Sequence, residues 1–86
     1  MTKSDGIGVD FLRTELQTGL TFARVALSAR PNDIDKIQRD TKNAREAYDS
    51  FLKFRERVSL SEDEKQEITE QAEKLKDALR KLGQSL

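Results

Sequence analysis

Pro31 is the only proline in the chain's 86 residues, and no other residue divides it so sharply. Between Gly19 and Gly83 there is no glycine either, so the sequence on both sides of Pro31 offers long runs without a backbone breaker. A proline disfavours helical geometry in the residue before it and lacks the N–H that continues the hydrogen-bond ladder. A helix that approaches Pro31 therefore stops near Arg30, and a second element must start beyond it. The runs are long and their apolar residues recur at helical spacing, so the expected fold class is all-α.

Val9, Leu12, Leu16, Leu20, Ala23 and Leu27 recur every three or four residues and form the core face of a first helix over about 9–30. Asn32 is the expected N-cap of a second helix over 33–58, with Asp33 and Asp35 suited to its positive end. The stripe of that helix is Ile34, Ile37, Thr41, Ala44, Tyr48, Phe51, Arg55 and Val58, widened by Ala47 and Phe54. Ser61 and Glu64 have the spacing of a capping box for a third helix over 62–82. Its face is Ile68, Ala72, Leu75, Leu79 and Leu82, and Gly83 is the expected left-handed C-cap.

Three helices with short connections pack up, down, up, as an antiparallel three-helix bundle. Residues 9–86 form one domain, and residues 1–8, with Gly6 and Gly8, are expected as a flexible arm. A turn that pivots on Pro31 places Gly19 opposite Ala44, and across the second turn Ala72 faces Tyr48 while Leu79 and Leu82 cover Ile34 and Ile37.

Leu, Ile, Val and Phe make up 21 of the 86 residues, which is enough for a core despite a mean hydropathy of -0.78. The 16 Lys and Arg balance the 16 Asp and Glu. The balance holds along the chain too, with 11 basic and 9 acidic residues over 1–60 and 5 and 7 over 61–86. Neutrality argues against nucleic acid as the partner, since phosphate binding usually leaves a basic surplus. With no Cys and no His, the chain has no disulfide, no thiolate nucleophile, no soft metal site and no acid/base group that titrates near neutrality. Glu62, Asp63 and Glu64 are adjacent on a helix and cannot all point one way, so they read as dipole compensation. The expectation is a non-enzymatic protein with no catalytic residue, cofactor or metal. No window is apolar enough to span a membrane and the N-terminus has no leader-like apolar run, so the expected setting is cytoplasmic.

Two features point to a partner. Phe11, Phe22, Val25 and Ala29 form a second stripe on the first helix, well away from Leu16. Either that helix is wrapped on two sides, or the stripe awaits a partner helix or a second copy of the chain. Asp40 and Thr41 interrupt the apolar stripe of the second helix, which requires a partner such as Arg24 for the carboxylate, or a polar floor in an interhelical groove. The sequence therefore reads as a helical protein–protein interaction module, with Phe11, Phe22 and Val25 as one surface and Asp40 and Thr41 as another. The alternative is a small regulatory or nucleic-acid-associated factor using Arg13, Arg24, Arg39, Lys42 and Lys53. The basic cluster Lys53–Arg57, with Phe54 inside it, suits the C-terminus of the second helix.

The Gly19 crossing, the run Ala44-Arg45-Glu46-Ala47-Tyr48 and the run Ala72-Glu73-Lys74-Leu75-Lys76 resemble the helical hairpins of tetratricopeptide repeats and the three-helix microtubule-interacting-and-trafficking domain. The resemblance spans residues 9 to 82 in outline, without a second repeat. It implies a scaffold that holds a peptide or helix in an interhelical groove, and it carries over no binding residue.

Overall fold

The computed structural model describes the backbone of residues 2–86 and the side chains of residues 8–86. It consists of α1 (Thr2–Ser28), α2 (Ile34–Arg55) and α3 (Glu62–Lys81), an all-α three-helix bundle. α1 packs most closely against α2 and next against α3, while α2 and α3 touch least. Leu12, Leu16, Phe51, Ile68, Leu75 and Leu79 are fully buried at the centre.

Helix ends follow the local chemistry in two of the expected places. The Ser61 hydroxyl accepts from the Glu64 amide at 3.1 Å, and the Glu64 carboxylate accepts from the Ser61 amide at 3.0 Å, completing the capping box. At the other end of α3, Gly83 has φ 88°, its amide donates to the Arg80 carbonyl at 2.9 Å, and the Gln84 amide donates to the Leu79 carbonyl at 3.0 Å. That pair of bonds is a Schellman stop, which needs a residue without a Cβ penalty at positive φ.

Four expectations are corrected in the first two helices. Asp33, not Asn32, is the N-cap of α2, and its side chain makes no capping bond. The helix is instead entered through a turn in which the Asp33 amide donates to the Arg30 carbonyl at 2.9 Å. Gly19 lies against Ala47, one turn further along α2 than Ala44. The same register pairs Gly8 with Val58 and Phe11 with Phe54. The first turn of α2 thus overhangs the end of α1, which is why Ile34 is 58 % exposed instead of lying in the core. Leu27 is likewise 44 % exposed: it lines a recess with Lys81, where α3 ends, so little of α3 remains to cover it. Ala26 is buried in its stead.

The arm expected over residues 1–8 is helical from Thr2 onward, Met1 lying outside the described residues. Gly8 gives the reason at its own position. A Cβ there would sit 3.0 Å from both methyls of Val58, so the glycine serves close approach to the end of α2.

Candidate functional site

α1 lies between its two neighbours, and its second stripe is largely the flank that meets α2. The rings of Phe11 and Phe54 meet edge to face, with centroids 5.2 Å apart and planes at 83°. Phe22 packs against the central cluster and Val25 is half-buried, which leaves Phe11, at 39 %, the most exposed of the three. On the opposite flank Arg13 forms a two-pronged bond to Glu67 of α3, Nε to Oε2 and Nη2 to Oε1, both at 2.8 Å, and also donates to Asp10 at 3.2 Å. The Arg13 hydrogen bonds hold the Glu67 carboxyl below the usual carboxylate range, against the opposing effect of desolvation. This clasp therefore adds stability above the unfolded carboxylate pKa and loses it as pH falls through the lowered value.

Asp40 and Thr41 are both buried, at 4 % and 8 % exposure, and they face different surroundings. Arg24 is not the partner of Asp40. Lys36 Nζ lies 3.7 Å from Oδ2 and Arg39 Nε 3.6 Å from Oδ1, beyond hydrogen-bond reach, and Oδ2 is left without a hydrogen bond. Thr41, whose Oγ1 is also without a bond, lines a groove of about 370 Å³ with Ile37, Lys42, Arg45 and Leu82. Arg45 holds the C-terminal segment beside that groove through Gln84 Oε1 and the Ser85 carbonyl, both at 3.2 Å. Leu82 and Ile37 line the same groove, whereas Ile34 remains uncovered.

A buried carboxylate with so little compensation costs stability. Asp40→Ala should raise the unfolding free energy by about 1 kcal/mol, from removal of an unbonded charged oxygen and from better helix propensity. Urea denaturation checks this; a loss of about 1 kcal/mol or more would mean that Lys36 and Arg39 compensate the charge fully.

A larger recess lies elsewhere, between α2 and α3 beside their connecting turn. It is an open groove of about 560 Å³ whose floor is Tyr48, Phe51, Leu52, Ile68 and Ala72, closed at the turn by Val58 and Leu60. Its rim carries Arg55, Lys65 and Lys76 with Glu56 and Glu73. None of the three cations is paired with a carboxylate among the described residues, although Arg55 lies over the Phe51 ring at 5.7 Å. Ala72 and Tyr48 line this groove from opposite helices. Leu52, Lys65 and Lys76 carry no signal of their own in the sequence. Arg55 does: it breaks the apolar series of α2 where α3 diverges.

The five basic residues of the nucleic-acid alternative are split between the two ends of the bundle, Arg24, Arg39 and Lys42 at one and Arg13 and Lys53 at the other. Arg13 is held by Glu67, Arg39 lies beside Asp40, and Lys53 sits 5.5 Å from the Phe54 ring centroid. Arg24 and Lys42 line two separate grooves. Among the described residues no helix is long and apolar enough to cross a membrane. Comparison of the chain with protein-family models, with curated proteins and with solved structures gives no match.

Proposed function

We propose that this chain is a non-enzymatic helical protein–protein interaction module that takes an amphipathic helix of a partner into the groove between α2 and α3. The observation that carries this reading is the groove that opens where α2 and α3 diverge, with half-buried Leu52, Val58, Leu60 and Ala72 above the buried Tyr48, Phe51 and Ile68. From Lys65 to Lys76 the α3 wall runs for about 16 Å of helix axis, the length of three turns of a partner helix. A stripe at i, i+3, i+4 and i+7 matches such a floor, and acidic residues beside the stripe match the unpaired Arg55, Lys65 and Lys76. The half-exposed Phe11 edge is a smaller surface of the same kind, already partly covered by Phe54. A cytoplasmic setting belongs to the same reading, since the chain has no cysteine to form structural disulfides.

Tyr48 is the only tyrosine, there is no tryptophan, and Tyr48 lies in the groove, so its emission reports occupancy directly. The probe is a synthetic helix of about 14 residues with leucines at the four stripe positions and glutamates flanking them. Titration should change Tyr48 emission saturably. Ala72→Arg should abolish the response, and a lysine-flanked version of the same helix should bind more weakly. Unchanged emission up to about 1 mM peptide would refute the reading.

A further inference from the structure

The charges that cancel along the chain are sorted by the fold. Gly19, Ala47 and Leu75 meet at one level of a body measuring 49 × 18 × 17 Å. On one side of that level lie residues 20–46 and 75–86, which carry nine Lys or Arg and five Asp or Glu, a net +4. On the other lie residues 8–19 and 47–74, with six Lys or Arg and ten Asp or Glu, a net -4. Lys3 and Asp5 cancel. Folding therefore turns a neutral chain into an elongated dipole, whose best neighbour is a body with the same charges reversed end for end.

An exposed face of α1 has the matching pattern, with Arg24 at its edge also lining a recess with Lys74, Asp77 and Lys81 of α3. Asp10, Thr14, Gln17, Thr21, Arg24 and Ser28 are all exposed and fall within about 80° around the helix. The stripe is uncharged except for an acid near one end and a base towards the other, and Gln17 lies midway between that acid and that base. The Thr21 hydroxyl donates to the Gln17 carbonyl and that of Ser28 to the Arg24 carbonyl, both at 2.9 Å. These hydroxyls donate within their own helix. Arg24 has no carboxylate partner among the described residues, and the Asp10 side chain is 76 % exposed although it touches Arg13.

We infer that a second copy of this chain docks antiparallel along the outer face of α1, with Gln17 on the two-fold axis, Asp10 of each copy against Arg24 of the other, and each positive end beside a negative one. The contact is isologous and closes on itself as a dimer. One helix face, about 27 Å long from Asp10 to Ser28, is smaller than a standard interface, so the dimer is weak and weakens further with salt. This surface is separate from the α2–α3 groove, and the two readings stand or fall independently.

The chain's lack of cysteine gives a test without background. Gln17→Cys at the axis and Ser28→Cys off it are compared for disulfide formation under mild oxidation in low salt, with helix content followed by circular dichroism. Gln17→Cys should give covalent dimer about tenfold faster than Ser28→Cys, since only the axial thiols meet. Arg24→Asp should remove that advantage, and Asp10→Arg added to it should restore it, because the swapped pair is again complementary. Equal rates at the two positions, or no recovery in the charge-swapped protein, would overturn the inference.

Discussion

Gly19→Val is expected to cost about 3 kcal/mol or more, out of a total of roughly 4–13 kcal/mol for a domain of this size. A Cβ at residue 19 would lie 2.6 Å from Leu75 Cδ2 and 3.3 Å from the Ala47 Cβ, where carbons in contact normally sit 3.5–4.0 Å apart. Leu75 is fully buried and Ala47 has no rotamer to change, so α1 must move away from both neighbours. Gly19→Ala tests the cause at smaller scale. It gains roughly 1 kcal/mol in helix propensity, yet should still lose stability overall, because the clash with two helices exceeds that gain. Leu75→Ala in the Gly19→Ala background should cost less than it does alone, since the two side chains compete for one space. Additive losses in that denaturation cycle, or a stabilised Gly19→Ala, would contradict the close crossing.

Phe51→Ala should cost about 3–5 kcal/mol and lower the melting temperature by roughly 15–30 °C. Phe51 is fully buried, stacks at a tilt on Tyr48 with centroids 6.4 Å apart, and lies under the Arg55 guanidinium. Its loss removes the floor shared by the core and the α2–α3 groove. Thermal melting followed by circular dichroism measures the effect. A fall of less than about 5 °C would mean that α2 and α3 collapse into the space.

The features legible before folding were those decided within one or two helical turns. Ser61 with Glu64 and Gly83 with its left-handed backbone depend on neighbours three to five residues away, and both stops are where their residue types place them. The core face of α1 from Val9 to Ala23 follows from periodicity alone. What failed depended on how far one helix slides along another. Periodicity gives the face of Ile34 and Leu27, but not whether the opposing helix reaches them; α2 overhangs α1, and α3 ends beside the recess that Leu27 lines. The register error at Gly19 has the same origin, because small residues at both 44 and 47 offered two close approaches. Asp40 was recognisable as misplaced on an apolar stripe, but its neighbours are Lys36 and Arg39 on its own helix instead of Arg24 across the turn. The local charge balance of the sequence concealed the dipole, because Asp and Glu of α3's first half and Lys and Arg of the end of α1 and the first half of α2 are set at opposite ends only when the bundle forms.

The groove between α2 and α3 carries the functional reading, and a residue-resolved titration tests it most directly. In a nitrogen-15 spectrum of the labelled protein, the glutamate-flanked leucine helix should move the amides of Leu52, Thr69 and Ala72 saturably and leave those of Gln17 and Thr21 on the outer face of α1 in place. Shifts confined to α1, or none at about 1 mM peptide, would contradict it.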